Sequence, residues 1–151
     1  MSLYEERIKD LGKLMGIPLI SESKETCCIQ FDEDKVTVQV DLDDSGERLL
    51  IGSVLGEISS GSYRNEIFKQ ALRVNGLSKA PRGILAYSDR LSSLILFDYL
   101  PFHSTDAQKL FNFIQLFHKH AEVWIDSLKS QTIPQIEREE QKGSGMFGMI
   151  A

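Results

Sequence analysis

Three strand-like segments separated by very short turns constrain the fold of this chain more than any other feature. Residues 36–42 alternate apolar and polar side chains, which is the pattern of a strand with one buried face. Short polar turns separate this strand from a segment at 26–31 before it and from one at 49–55 after it. Because these turns leave no room for a helical crossover, we expect an antiparallel meander.

Three further segments have the apolar spacing of helices. Residues 2–15 begin with Ser2 as a capping residue and end before Gly16, and a second helix begins at a cap on Ser62 and ends at 75–76. A capping box at 105–108 starts the longest helix, which runs to about residue 130 with a continuous apolar stripe. Three apolar residues lie off that stripe: Phe113, Leu116 and Val123. In a monomer, part of this second apolar face of the helix would be exposed to water.

A strand hairpin at 83–87 and 91–100 completes the order α-β-β-β-α-β-β-α. This order predicts an α+β domain with a twisted antiparallel sheet flanked by helices. We expect residues 1–133 to form a single domain and residues 134–151, which follow Ile133 and end in an apolar Met-Phe-Gly-Met stretch, to be a flexible tail.

Charge and composition exclude several classes of function. The chain has 151 residues and a formal net charge of -5, which disfavours binding to nucleic acid or to an anionic membrane. The sequence has neither an apolar run long enough to span a bilayer nor a signal peptide, so we expect a cytoplasmic protein. The adjacent Cys27 and Cys28 are expected to be reduced thiols, one of them in the core.

The most enzyme-like string is the acidic turn at 41–45. Asp41 and Asp43 resemble the Asp-x-Asp nucleophile loop of haloacid-dehalogenase-type phosphatases, and with Ser45 and Gly46 they also resemble half of a calcium loop. The phosphatase loop would require a following helix and a later acidic cluster, whereas a strand follows here. A calcium loop would require Glu at the place that Gly52 occupies. A hairpin turn is therefore the favoured interpretation.

Metal binding and thiol catalysis have weaker signals still. A zinc site would have to draw on the two adjacent cysteines and on histidines that do not share a helix face, namely His103, His118 and His120. We therefore expect surface histidines, a core Trp124, and neither a metal nor a cofactor. A Cys–His nucleophilic pair stays open at this point.

The chain resembles the class I chaperones of type III secretion, the Tir chaperone family. The resemblance covers about residues 2–130. It rests on size, acidity, element order and three stretches: 11–19 (LGKLMGIPL), 82–87 (RGILAY) continuing into 94–97 (LILF), and the last helix with Phe113, Phe117, Ala121, Glu122 and Trp124.

The resemblance implies a function in protein binding without enzymatic activity. Family members act in the cytoplasm of Gram-negative bacteria as dimers that bind the non-globular N-terminal segment of a secreted effector. The effector adds a strand to a sheet edge and fills apolar grooves, which keeps it stable and secretion-competent. The resemblance then implies an effector groove at Leu14, Ile17, Leu19, Ile29, Phe31 and Val38, and a dimer interface at Phe68, Leu72, Leu94, Leu96 and Phe97.

Three alternatives stay open at this stage. The chain could pair with a paralogous chaperone as a heterodimer instead of with itself. It could be a regulatory adaptor that binds a transcription or secretion component. The least favoured alternative is a phosphatase with Asp41 as its nucleophile. The identity of the client and the role of the tail do not follow from the sequence.

Overall fold

The computed structural model describes residues 2–20, 25–31 and 36–136. Within these ranges the helices and strands are, in chain order, α1 (Leu3–Met15), β1 (Thr26–Phe31), β2 (Val36–Leu42), β3 (Arg48–Glu57), α2 (Ser62–Asn75), β4 (Ile84–Ser88), β5 (Ser93–Pro101) and α3 (Ala107–Ser130). The order is the one predicted, so the α+β fold class is confirmed.

The described strands form one antiparallel sheet in the order β1-β2-β3-β5-β4. The predicted meander is confirmed, because β1 pairs with β2 and β2 pairs with β3. The chain then passes through α2, enters β4, and returns through a hairpin so that β5 pairs with β3 along nearly its whole length. This path leaves β1 and β4 as the two edges of the sheet.

One face of the sheet forms the core together with the helices. Buried side chains alternate along β2 at Val36, Val38 and Val40, which is the period of a strand with one covered face. Trp124 and Phe117 of α3 are fully buried in the same core, as predicted for Trp124. The Tyr4 hydroxyl of α1 donates a 2.5 Å hydrogen bond to the Val40 carbonyl, and burial raises the pKa of this tyrosine.

The ends of α1 agree with the sequence signals. The Ser2 hydroxyl accepts a hydrogen bond from the backbone N–H of Glu5 at 3.1 Å. Gly16 takes the left-handed conformation with φ of 72°, a conformation that glycine adopts without steric cost. The α1 boundary could therefore be read from residue types alone.

The other two N-caps lie elsewhere than predicted. The N-cap of α2 is Gly61, and Ser62 is already helical, so the prediction of a Ser62 cap is wrong. The N-cap of α3 is Asp106, whose carboxylate accepts from the backbone N–H of Lys109 at 2.8 Å. Thr105 is buried instead. In both cases the N-cap is a residue adjacent to the predicted one, Gly61 before Ser62 and Asp106 after Thr105.

No helix in the described ranges has the length and apolarity needed to cross a bilayer. The described chain also continues in packed form beyond Ile133: Pro134 is buried, and its carbonyl accepts a hydrogen bond from Gln70 of α2. The tail residues 137–151 lie outside the described residues.

Candidate functional site

The carboxylates of the acidic turn between β2 and β3 accept hydrogen bonds from neighbouring side chains. The Asp43 carboxylate accepts from the Ser45 hydroxyl at 2.6 Å and from Arg48 Nε at 3.0 Å. The bond from Ser45, followed by those from Arg48, lowers the pKa of Asp43 to about 2. Asp41 accepts a bond from the Gln39 amide at 2.8 Å. Two carboxylates held in a hairpin, followed by strand β3, form a structural turn and not a nucleophile loop.

The cysteines and histidines likewise form no metal centre. Neither cysteine forms a disulfide, and Cys27 is the one buried in the core. The described part of the chain has no cluster of three or more His, Cys, Asp or Glu residues that could hold a metal ion. His118 stacks on the Phe31 ring with centroids 4.0 Å apart.

His120 is buried, so its prediction as a surface residue is wrong. Its Nδ1 lies 2.9 Å from the Arg82 carbonyl oxygen. Because a carbonyl only accepts, Nδ1 carries the proton. Burial lowers the pKa of His120, against the opposing effect of this hydrogen bond. The side chain is therefore a neutral core residue of α3.

Exposed apolar side chains are concentrated where the chain leaves α1. Leu14 and Ile17 are 43% and 40% exposed, Ile20 is more exposed still, and Leu19 packs partly against the core. We call these four residues the α1-exit cluster. A Cβ at Gly12 would lie 2.7 Å from the Ile17 carbonyl oxygen, so glycine permits the chain to fold back closely against α1. Three of the predicted groove residues belong to this cluster.

The other predicted groove residues lie on the inner face of the sheet. Ile29 and Val38 are a directly opposed pair of β1 and β2, and both are completely buried. Phe31 is half-buried against His118. The described structure thus separates the six predicted residues into an exposed group at the α1 exit and a packed group on β1 and β2.

The two edges of the sheet differ in how they are covered. At the β4 edge, the Asn75 side chain of α2 donates to the Leu85 carbonyl and accepts from the Leu85 N–H, both at 2.9 Å. At the β1 edge, the described residues provide no comparable bond to residues 29–31 beyond the pairing with β2. An edge strand with available backbone groups is a template for a further strand.

A second apolar surface lies on the sheet face opposite the core. Cross-strand neighbours place Val54, Ile84, Ile95, Phe97 and Tyr99 on this face, which we call the open sheet face. Val54 is 56% exposed. Because Gly52 has no side chain, the middle of the face is hollow, and the groove there measures about 610 Å³.

The predicted dimer residues are spread over three places. Phe97 lies on the open sheet face, whereas Leu94 and Leu96 are buried in the core. Leu72 of α2 is 73% exposed. The ring of Phe68 packs edge-on against Tyr87, and the guanidinium of Arg64 lies over both rings. The single chain does not bring these five residues together as one surface.

Two positions of functional interest were missed in the sequence. Asn75 was noted only as a helix end, yet it protects a sheet edge. Val54 was assigned to a strand, but the sequence did not show on which face of the sheet it lies, because residues 49–55 have too many apolar side chains for a simple alternation. The register with β5 shows which of them face outward.

Comparison with known proteins identifies a family. The model of the Tir chaperone protein (CesT) family matches residues 6–125, which is most of the chain. No curated protein matches the sequence.

Several solved structures share the fold. A chain of the HopA1–SchA chaperone–effector complex is 16% identical with a TM-score of 0.63, and the match covers 82% of this chain and 93% of that one. The structure of the Yersinia pestis type III secretion chaperone SycH in complex with a stable fragment of YscM2 gives 14% identity and a TM-score of 0.61. The match covers 78% of this chain and 96% of that one. A chain of the ExoU–SpcU heterodimeric complex of Pseudomonas aeruginosa is 20% identical with a TM-score of 0.61, and the match covers 85% of this chain and 99% of that one.

Proposed function

Since the chain belongs to the Tir chaperone protein (CesT) family of type III secretion chaperones, we propose that it binds the non-globular N-terminal segment of a secreted effector. Bound in this way, the segment is kept stable and secretion-competent in the bacterial cytoplasm. The family is one of chaperones, and the acidic turn of this chain is a structural hairpin, so the phosphatase alternative has no support left.

The observation that carries the proposal is the α1-exit cluster, together with a β1 edge at which the described residues provide no further strand for residues 29–31. A client segment in extended form can hydrogen-bond to such an edge through its backbone and place alternate side chains on nearby apolar surface. The β4 edge is already occupied by Asn75. We therefore assign the client to the β1 side and propose Leu14, Ile17 and Leu19 as its apolar contacts.

The similar structures support the client class. The HopA1–SchA structure is a chaperone–effector complex, and ExoU–SpcU comes from a type III secretion system. Because their identity to this chain is low, these structures support the shared fold alone, and the position of a client on this chain rests on its own exposed residues.

We further propose that the chaperone is a dimer that buries its open sheet face, most simply against a second copy of itself. A sheet face with Val54 and Tyr99 exposed and Phe97 half-buried is the kind of surface that monomers rarely leave in water. Leu94 and Leu96 are left out of this interface because they are core residues in the single chain. A paralogous chaperone on the same face is the heterodimeric alternative.

The client site is tested with the double variant Leu14→Asp/Ile17→Asp. The client is first captured with the tagged full chain from extract of the source bacterium and identified by mass spectrometry. Its N-terminal segment is then titrated into the chaperone by calorimetry. Because each carboxylate would be desolvated against an apolar client side chain, we expect affinity to fall by about tenfold or more.

The matched control is Leu14→Met/Ile17→Met, which keeps both positions apolar. It should bind the client within about threefold of the unaltered chain, since volume-conserving apolar changes cost little. Equal binding by the Asp and Met variants would show that the client does not use the α1-exit cluster. Failure to capture any secreted protein would count against the chaperone function itself.

A further inference from the structure

The groove in the middle of the open sheet face carries opposite charges at its two ends. Of the described residues that line it, only Asp41 and Arg90 have charged side chains. Asp41 lies level with Tyr99, near the end of β5, because both are paired with Leu50 of β3. Arg90 lies in the β4–β5 turn, before the start of β5 at Ser93. Six positions of β5 separate these two levels, so the anionic and cationic ends are about 20 Å apart.

The carboxylate of Asp41 has no cationic partner within the described ranges. One of its oxygens accepts a hydrogen bond from the neutral Gln39 amide at 2.8 Å, and the other is buried and accepts none from the described residues. A cation at the same end of the sheet, Arg48, is bound to Asp43 instead, at 3.0 Å. Because a nearby positive charge stabilises a partly buried carboxylate, this end of the groove favours a partner that brings a cation.

The opposite end of the groove presents a cation to solvent. Arg90 is exposed in its turn. Two acidic residues, Asp89 and Glu57, also lie at this end of the sheet, but neither is among the described residues that line the groove. A guanidinium on a long side chain at a rim can reach a carboxylate of a neighbouring molecule and donate to both of its oxygens.

We propose that a second copy of this chain occupies the groove in the reverse orientation, with Asp41 of each copy bound to Arg90 of the other. This inference rests on the proposed dimer through the open sheet face and adds its orientation and its basis for self-recognition. A two-fold axis through the middle of the groove, at right angles to the line from Asp41 to Arg90, exchanges the two ends. Both ion pairs therefore form at once, and the apolar middle with Gly52 and Val54 packs against its own copy.

The same arrangement of charges favours a copy of this chain over a paralogous chaperone. In a contact with two-fold symmetry, the same two residues of each chain supply both ion pairs. A paralogue would need a cation to meet Asp41 and an anion to meet Arg90 at the same spacing. Like charges at either end would repel, which excludes a chain that lacks this pattern.

Sedimentation velocity over a dilution series tests the pairing by charge reversal. Asp41→Arg and Arg90→Asp each place like charges at both contacts, so the dimer of either variant alone should dissociate about tenfold or more readily than that of the unaltered chain. An equimolar mixture of the two variants brings opposite charges together at both contacts. We expect this mixture to regain the dimer, at twice the mass of 17.1 kDa.

The matched control is Asp10→Arg, which makes the same change of charge at an exposed position of α1. Its dimer should be as stable as that of the unaltered chain. A thermal melt checks the folding of each variant. If Asp41→Arg does not fold, Arg90→Gln at its exposed turn position keeps the test available. The dimer of the unaltered chain should weaken with added salt, and that of Arg90→Gln should be weaker at low salt and depend on salt less.

The outcomes separate the pairing from the dimer itself. If Val54→Asp abolishes the dimer, but the mixture associates no more tightly than either charge variant alone, the open sheet face forms the dimer without this pairing and the inference is overturned. Charge variants that each dimerise as tightly as the unaltered chain overturn it too. An unaltered chain that stays a monomer overturns both the proposed homodimer and the inference. None of these outcomes affects the capture of a secreted client.

Discussion

At Gly12, α1 and the chain that leaves it approach each other more closely than any side chain would allow. A Cβ there would lie 2.7 Å from the Ile17 carbonyl oxygen and 3.0 Å from the Leu19 nitrogen, both backbone atoms that cannot rotate away. We expect Gly12→Ala to displace residues 17–20, to lower the free energy of unfolding by about 1–3 kcal/mol, and to weaken client binding. Urea denaturation and client titration measure the two effects.

Gly46→Ala is the matched control for Gly12→Ala. Gly46 has a φ of 75° in the β2–β3 turn, and a Cβ there would meet no neighbouring atom within 4 Å. Alanine should therefore cost about 1 kcal/mol through backbone strain alone, and client affinity should be unchanged. If both variants weakened the client equally, the loss would reflect general stability and not the position of the α1 exit.

The burial of His120 predicts that stability depends on pH. Its pKa in the folded chain is lowered below the usual value of 6.5 by burial. As the pH falls through about 6.5, the unfolded chain takes up a proton at this position before the folded chain does. The contribution of His120 is therefore complete above that pH and is lost as the pH falls towards the folded-state pKa.

The measurement compares the unaltered chain with His120→Gln in urea at several pH values. Glutamine does not titrate, so we expect the unaltered chain to lose its stability advantage progressively as the pH falls from about 7.5 through the usual histidine value of 6.5. A constant difference between the two proteins over this range would show that His120 titrates alike in both states.

Residue types predicted some environments well and His120 badly. Trp124 and one of the two cysteines were placed in the core because large apolar and thiol side chains are usually buried there. His120 lies three positions after Phe117 and four before Trp124, on the same stripe. Its polarity argued against burial, and no local signal shows that a carbonyl distant in sequence, that of Arg82, would accept a hydrogen bond from its ring.

At the scale of the elements, the Asn75 side chain acts as a substitute strand. Its amide makes both hydrogen bonds that a neighbouring strand would make to Leu85. Asn75→Ala would remove both partners from a largely buried residue of the β4 edge. We expect the free energy of unfolding to fall by about 1–3 kcal/mol and the exposed edge to increase aggregation.

Urea denaturation and light scattering at rising concentration measure these effects. The matched control is Asn112→Ala on α3, where the asparagine side chain accepts a hydrogen bond from the exposed Gln108 and from no other side chain in the described ranges. That variant should change stability by less than about 0.5 kcal/mol. If both variants behaved alike, the bonds of Asn75 would not be what protects the β4 edge.

The elements themselves were predictable, but their long-range pairing was not. Alternation along β2 and the short turns around it indicate the β1–β2–β3 meander, because each neighbour is close in sequence. The pairing of β3 with β5 joins a strand that precedes α2 in the sequence to one that follows it, and no local pattern specifies this pairing. That pairing decides that Val54 and Phe97 face outward together, so the open sheet face could not be predicted from the sequence.

At the scale of the whole molecule, the sequence indicated the family but not how the exposed surfaces are distributed. The predicted groove combined Leu14 and Ile17 with Ile29 and Val38, although the second pair is buried. Apolar spacing cannot distinguish a core position from a binding position, since both need an apolar side chain on one face. Only the packing of α1 and α3 on the sheet separates the two groups.

Two surfaces of the chain are candidates for the dimer interface, the open sheet face and α2, and the mass of variants in solution distinguishes them. One chain has a mass of 17.1 kDa, so light scattering coupled to size exclusion should give twice that value for the unaltered protein. Val54→Asp places a carboxylate in the centre of the open sheet face. Because burying that charge against a second copy would cost far more than leaving it in water, we expect a monomer.

Leu72→Asp provides the comparison, since Leu72 is an exposed residue of α2 that the sequence also predicted at the interface. If the open sheet face forms the dimer, this variant keeps the doubled mass and Val54→Asp loses it. The reverse result would place the interface on α2. If the unaltered chain is a monomer that doubles in mass only after co-expression with a paralogous chaperone, the open sheet face belongs to a heterodimer. Val54→Asp should then abolish that pairing, because the same apolar face would have to be buried.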